Sequence, residues 1–171
     1  MSGCKSSNDP SSPTVATASV PPAPSATAKA PEPDPLTKDG ELKTSSPVAF
    51  EVRGLNGPGT MGPTVLAASS DKALEEIRAY LVAHPNAGPL RIEASANPLQ
   101  MSSGPNPRFP ASLAQNVARW LVDHGIDCKR LEVIGFLDRE TQGERVRFYV
   151  GSGSKAGRPP AEEARLDPCA K

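Results

Sequence analysis

Regularly spaced apolar residues are confined to one part of this 171-residue chain, between residues 47 and 150. Residues 1–46 are rich in Pro, Ser, Thr and Ala and have no apolar periodicity, so they cannot bury enough surface to offset the entropy lost on ordering. Residues 151–171 are rich in Gly, Ser and Pro. The sequence therefore predicts one domain over 47–150, preceded by a linker over 1–46 and followed by a flexible tail over 151–171, in which PAEEARL could form a short helix.

Within the domain, segments that alternate apolar and polar residues are typical of strands with one buried face. We predict four strands, in the segments PVAFEVRG, LRIEAS, RLEVIGF and ERVRFYV. In LRIEAS, Leu90 and Ile92 share one face, while Arg91, Glu93 and Ser95 share the other. A parallel sheet covered by helices on both faces would have continuous apolar runs instead, so we expect the helices of this domain on one face only.

Two segments have apolar residues at helical spacing. In SSDKALEEIRAYLVAHP, Leu74, Ile77 and Leu81 define a helix that begins after the serine pair and ends before the His-Pro pair. The second helix opens at Pro110 and ends at Gly125. The element order β-α-β-α-β-β predicts an α+β domain of two layers, flanked by disordered tails. Its mixed sheet would carry both helices on one face and would leave the other face in solvent or against a partner.

The charge balance of the chain argues against a nucleic-acid partner. Lys and Arg together number 19, as do Asp and Glu, so the chain has no electrostatic bias toward polyanions. No run of apolar residues approaches the roughly 20 needed to cross a bilayer. Attachment to a membrane would therefore have to be covalent.

Three patterns that suggest active-site chemistry are better explained by structure. GPGTMG, residues 57–62, has the spacing of a dinucleotide-binding loop, but the helix that should follow it begins several residues late. His84 and His124 each close a predicted helix, where free carbonyls favour an imidazole, and neither has a second ligand at metal spacing. His124 and Cys128 are separated by the helix-breaking Gly125, which argues against a Cys-His nucleophile. We therefore predict no metal, no cofactor and no enzymatic activity; a small hydrolase with an unrecognised Ser or Cys nucleophile is the third-ranked alternative.

The three cysteines, Cys4, Cys128 and Cys169, leave one over if two form a disulfide. A bond between Cys128 and Cys169 would close a loop of about 40 residues, contribute up to ~4 kcal/mol and imply an oxidising compartment. SGC at residues 2–4 is similar to the end of a bacterial lipobox, in which small residues precede a cysteine that becomes acylated. We therefore predict lipidation of Cys4, with a hydrophobic signal segment encoded upstream. Lys5 is consistent with sorting to the outer membrane, by analogy with enteric lipoproteins.

Five segments, in order, carry a resemblance to a known family: ALEEIRAYLVAHP, LRIEASAN, SLAQNVARWLVDHGID, RLEVIGF and RVRFYV. Together they resemble the OmpA-like (OmpA/MotB) peptidoglycan-associating domain over roughly residues 47–150. The resemblance implies a site for the diaminopimelate of peptidoglycan stem peptides.

At two positions where that family has a charged site residue, this chain has an uncharged one. In the family, the second strand ends in a Thr-Asp pair and is followed by Asn-x-x-Leu-Ser-x-x-Arg-Ala. By position, the strand-end aspartate falls on Asn97, the loop asparagine on Asn106 and the helical arginine on Leu113. Asn97 can make only part of the aspartate's contacts with an ammonium, and Leu113 makes none of the arginine's contacts with a carboxylate, so Leu113 could simply widen the apolar stripe of its helix. Ser95 and Arg108 are further candidates for the lining of a polar pocket, Arg108 as a shifted guanidinium.

The resemblance and Cys4 together predict a non-catalytic lipoprotein of the bacterial cell envelope, held in the outer membrane and facing the periplasm. Its degenerate OmpA-like domain would associate with peptidoglycan weakly or in a modified way. The alternative is a protein-protein interaction module of the envelope that has lost peptidoglycan binding and uses an open sheet face or edge to bind another envelope protein.

Overall fold

The computed structural model describes residues 35–53, 64–101, 104–151 and 162–170 of the chain. These residues form six strands and two α-helices. The strands are β1 (Phe50–Val52), β2 (Thr64–Leu66), β3 (Leu90–Ala96), β4 (Leu131–Leu137), β5 (Glu144–Val150) and β6 (Glu163–Leu166), and the helices are α1 (Asp71–Ala83) and α2 (Arg108–Asp123). Both helices therefore precede a strand, as the sequence predicted.

The main sheet has four strands in the order β5-β3-β4-β6, with β3 and β4 parallel and both outer strands antiparallel to their neighbours. Both helices pack on one face of this sheet. Their apolar stripes are buried in one cluster with Val133 of β4 and with Leu90 and Ile92, which alternate with polar residues along β3. The predicted α+β class, with a mixed sheet and both helices on one face, is confirmed.

Two strands differ from the sequence prediction. The first predicted strand, β1, pairs with β2 in a separate two-stranded sheet, with Phe50 opposite Leu66, instead of joining the main sheet. The fourth strand of the main sheet is β6, which comes from the segment predicted as a flexible tail. β6 runs antiparallel to β4, with Leu166 opposite Val133, and satisfies backbone groups along an edge that would otherwise be unpaired. The prediction of a short helix in PAEEARL is therefore wrong.

The folded domain begins before its predicted boundary. Leu42 is buried in the main core, and its backbone N–H donates to the carbonyl oxygen of Phe148 on β5 (2.9 Å). The hydroxyl and the backbone N–H of Ser45 donate to the carboxylate of Glu76 on α1. The hydrogen bond from this hydroxyl is the main reason that the pKa of Glu76 lies below its ordinary value. The predicted linker extends too far, because residues 35–46 belong to the domain.

The face of the main sheet opposite the helices, which was predicted to lie in solvent or against a partner, is polar, but its middle is not exposed to solvent. Arg91, Glu93 and Ser95 alternate as expected along β3, yet they are only 7 %, 8 % and 5 % exposed. Arg91 forms ion pairs with Glu93 (3.2 Å) and with Glu132 on β4 (3.4 Å), and β3 has a neighbouring strand on each side. Pairing of the charges explains how an arginine and a glutamate can be buried here. The expectation of a solvent-facing surface is therefore wrong for the middle of this face.

Helix α2 lies close to β4 at Gly135. A Cβ atom built at Gly135 would stand 2.6 Å from Cβ of Ala111 in α2, and closer still to the backbone nitrogen of the same residue. No side chain larger than hydrogen fits between the two elements, so this glycine sets the distance from the helix to the sheet. The first turns of α2 are thereby held against the C-terminal half of β4.

Candidate functional site

The polar residues predicted for a site lie near the C-terminal ends of β3 and β4. Because these strands are parallel neighbours, the loops that follow them, with Asn97 after β3 and Asp138 after β4, leave the sheet side by side. The backbone N–H of Asp138 donates to the carbonyl oxygen of Ala96 (3.0 Å), which joins the two ends directly. The close approach of α2 at Gly135 brings the start of that helix to the same edge.

Asn97 holds the two loops together. Its Oδ1 accepts from the backbone N–H of Leu99 (2.9 Å), and its Nδ2 donates to the carbonyl oxygen of Arg139 (3.0 Å). The second bond needs a donor, which an ionised aspartate lacks. An aspartate at this position would place a carboxylate against a carbonyl oxygen, so the asparagine suits this loop pair better than the residue of the family.

A short chain of hydroxyl and carboxylate groups extends from β3 into the loop between β4 and β5. Oγ of the buried Ser95 lies 3.1 Å from Oγ1 of Thr141, which donates to Oδ2 of Asp138 (3.0 Å). Oδ1 of Asp138 accepts from the backbone N–H of Glu140 (3.0 Å). Ser95 therefore stabilises the loop from the sheet, and its burial keeps it from the surface of a pocket.

Asn106 and Arg108 lie at the start of α2. Oδ1 of Asn106 accepts from the backbone N–H of Arg108 (3.0 Å), which satisfies one of the donors left unpaired at the beginning of a helix. Both side chains are exposed. The side chain of Arg108 is thus exposed at the start of α2, whereas Asn106 is engaged with the first turn of the helix.

Leu113 is part of the hydrophobic core. It is fully buried in the cluster formed by the two helices and the sheet. The alternative interpretation, in which Leu113 widens the apolar stripe of α2, is correct, and Leu113 is not a site residue. An arginine at this position would put a guanidinium into the core without a partner.

A cleft of about 610 Å³ lies beside these loops. Its lining residues come from three segments: Pro98 and Pro105 between β3 and α2, Leu137, Asp138, Arg139 and Glu140 at the end of β4, and Glu162 just before β6. The cleft therefore presents carboxylates and a guanidinium together. Sequence reasoning missed Arg139, Glu140 and Glu162. The polar turn LDRETQG was an available signal for the first two, but Glu162 reaches the cleft only because β6 pairs with β4.

His84 and His124 cap the two helices, as predicted. Nδ1 of His84 lies 2.9 Å from the carbonyl oxygen of Tyr80, and Nδ1 of His124 lies 2.7 Å from that of Trp120. Each imidazole also stacks on the aromatic ring four residues before it, with ring centroids 4.2 and 3.7 Å apart. Among the described residues, no group of three or more His, Cys, Asp or Glu side chains is arranged to hold a metal ion.

Cys128 and Cys169 form a disulfide, with their Cα atoms 5.2 Å apart. The bond joins the turn before β4 to the residues after β6, so it fastens this edge strand to its neighbour. Gln115 of α2 adds a second link, because its Nε2 donates to the carbonyl oxygen of Asp167 (3.0 Å). The segment after β6 is thus held against the domain at two points.

Two sequence predictions fall outside the residues that the structure describes: lipidation of Cys4, and the pattern GPGTMG at residues 57–62. None of the described helices has the length and apolar character needed to cross a bilayer.

Comparison of the chain with models of known protein families found no match. Comparisons with curated proteins and with solved structures likewise found no match. The resemblance to the OmpA-like domain therefore rests on the sequence segments alone, and what it implies about function is a hypothesis.

Proposed function

We propose that this chain is a non-catalytic binding module of the bacterial cell envelope, whose degenerate OmpA-like domain associates weakly with peptidoglycan stem peptides through the cleft beside Asn97. The observation that carries the proposal is the position of that cleft. It lies at the joined ends of β3 and β4, where the resemblance places the strand-end residue of the family's site.

The charges around the cleft suit a ligand that carries both an ammonium and a carboxylate, as diaminopimelate does. Glu140 and Glu162 offer carboxylates to the ammonium, and Arg139 offers a guanidinium to the carboxylate. Arg108, at the start of α2, provides a second cation near the same edge. A ligand with charges of both signs would therefore find partners for each.

Binding is expected to be weak, because neither of the family's two charged positions is charged here. Asn97 is bonded to the carbonyl of Arg139 and Leu113 is buried, so the family's pair of charges has no place at these positions. Removing one partner of a desolvated charge pair commonly costs about 2 to 5 kcal/mol, and ~1.4 kcal/mol is a factor of ten in affinity. We expect an affinity on the order of a hundredfold below that of a site with both charges.

Replacement of Arg139 with glutamate is expected to weaken binding of the full chain to purified peptidoglycan sacculi by about tenfold, as measured by sedimentation. The change removes the guanidinium of the cleft and leaves the backbone carbonyl that holds Asn97 in place. Arg119→Glu makes the same change on the exposed side of α2, eleven residues from the start of the helix, and should bind like the parent. Unchanged binding by Arg139→Glu, or an equal loss in both variants, would exclude the cleft as the site.

The N-terminal residues support attachment of this module to a membrane surface. Acylation of Cys4 would hold the domain at the membrane, and the Pro-, Ser- and Ala-rich residues that follow would let it reach the peptidoglycan layer. The disulfide between Cys128 and Cys169 suits an oxidising compartment such as the periplasm.

Expressed behind a lipoprotein signal sequence, the chain is expected to partition into detergent and to carry acyl chains on Cys4. Mass spectrometry of the N-terminal peptide measures the modification, and a Cys4→Ala variant should stay in the aqueous phase. An unmodified Cys4, in a bacterium that acylates its other lipoproteins, would disprove the lipid anchor. It would not affect the proposal that the cleft binds peptidoglycan.

A further inference from the structure

A second cavity, of about 380 Å³, lies at the outer edge of β5. It is lined by residues 41–48 on one side and by residues 144–148 on the other, and we call it the β5 groove. The β5 groove shares no lining residue with the cleft beside Asn97. It is therefore a separate feature of the domain.

The outer edge of β5 is paired along its C-terminal half. The N–H of Leu42 donates to the carbonyl oxygen of Phe148 (2.9 Å), and the N–H of Val150 donates to the carbonyl oxygen of Gly40 (2.8 Å). Because backbone groups of an antiparallel strand point alternately toward its two neighbours, the N–H and C=O of Val146 point outward like those of Phe148 and Val150. The neighbouring strand β3 therefore cannot satisfy them.

Within the described part of the chain, no backbone group pairs with the edge beside Val146. After Leu42 the chain leaves β5 and turns toward α1, where Ser45 bonds to Glu76. This departure opens the β5 groove between the two segments. The groove thus offers an unpaired strand edge, and such an edge favours pairing with an added strand.

We infer that the β5 groove binds an extended, acidic peptide segment of another protein, which adds to β5 as a further strand. Backbone hydrogen bonds to Val146 supply the binding and continue the line of pairing that Gly40 and Leu42 begin. Binding at this edge is independent of peptidoglycan binding in the cleft beside Asn97.

The preference for acidic side chains follows from the charges along the groove. Arg145, Arg147 and Lys43 contribute three positive charges, against two negative charges from Glu41 and Glu144. Alternate residues of an added strand point to the same face as the two arginines, so acidic residues at alternate positions would oppose them. Lysine at those positions would be repelled.

A seven-residue peptide that alternates valine and aspartate, blocked at both ends, is the probe for this site. Added to the isotope-labelled full chain, it is expected to slow hydrogen exchange of the Val146 amide by about tenfold or more, because an amide that faced solvent gains a partner. Two control peptides should bind at least about tenfold more weakly. One replaces aspartate with lysine, and the other carries N-methyl groups on alternate backbone nitrogens.

Two variants test the backbone and the charge separately. Val146→Pro removes the outward N–H and spares the bonds to β3, which come from the neighbouring residues, so it should abolish the peptide response. Arg145→Glu leaves the backbone intact and should weaken binding of the aspartate peptide about tenfold while strengthening binding of the lysine peptide. This variant tests the proposal even if the proline variant does not fold. Equal binding of the N-methylated peptide, or no binding of the aspartate peptide, overturns the proposal. Protection of the Val146 amide without peptide also overturns it, because the chain itself or a second copy would then occupy the edge.

Discussion

Removal of the disulfide, by replacing both Cys128 and Cys169 with alanine, is expected to lower the free energy of unfolding by up to about 4 kcal/mol. The two cysteines are 41 residues apart, and in the chain-entropy account a cross-link of that span strongly restricts the unfolded chain. The change should also loosen β6. Among the described residues this edge strand pairs only with β4, and without the disulfide the segment after it would be held by the bond from Gln115 to Asp167.

Denaturant unfolding of the parent and of the double variant, each with and without a reducing agent, measures this effect. The reduced parent should unfold at the same denaturant concentration as the variant, and hydrogen exchange should show that β6 loses protection before β3 and β4. Cys4→Ala is the matched control and should leave the midpoint unchanged. Equal stability of the oxidised parent and the double variant would refute the prediction.

Replacement of Gly135 with alanine is expected to lower the free energy of unfolding by about 3 kcal/mol. Glycine-to-alanine changes at unstrained positions usually stabilise a protein by about 0.4 to 1 kcal/mol, because they restrict the unfolded chain. At Gly135 the added methyl group would overlap the backbone of α2 at Ala111, so the helix must move away from β4. The sign of the change therefore distinguishes this contact from an ordinary strand glycine.

A second substitution identifies which atoms cause the loss. Ala111→Gly removes the Cβ that would lie 2.6 Å from the new methyl group, but it leaves the backbone nitrogen, which is closer. We therefore expect Ala111→Gly to fail to rescue Gly135→Ala in thermal or denaturant unfolding. Full rescue by the second substitution, or a single variant as stable as the parent, would show that α2 does not lie this close to β4.

Local patterns were sufficient to predict both helices and the strands β3, β4 and β5 of the main sheet. Leu90 and Ile92 face the helices as the alternation predicted, and His84 and His124 end the helices that precede them. These features depend on residues close together in sequence, so periodicity and capping residues contain the information that specifies them.

The partners of the short strands could not be predicted in the same way. Alternation predicted β1 as a strand but did not indicate that it pairs outside the main sheet, and β6, with four residues, was not predicted as a strand at all. β6 forms because β4 offers an edge and the disulfide holds the chain beside it, and neither condition is visible in PAEEARL itself.

The sequence predicted the place of Asn97 in the fold but not its neighbours. Its position in the sequence correctly placed Asn97 directly after β3, because the end of a strand is a local feature. It could not show that Leu113 points into the core, or that Asp138 and Arg139 lie beside Asn97, since those facts depend on how α2 and β4 pack.

By itself, the sequence determined the apolar faces of both helices and of β3, where the helices stop and that the fold is α+β, because side-chain type and spacing decide burial. Only the tertiary structure decided that β1 leaves the main sheet, that β6 joins it, and that half of the β5 edge stays unpaired among the described residues. The physical reason is that strand pairing uses backbone N–H and C=O groups, which are nearly identical at every residue. The sequence of side chains therefore says little about which strands pair.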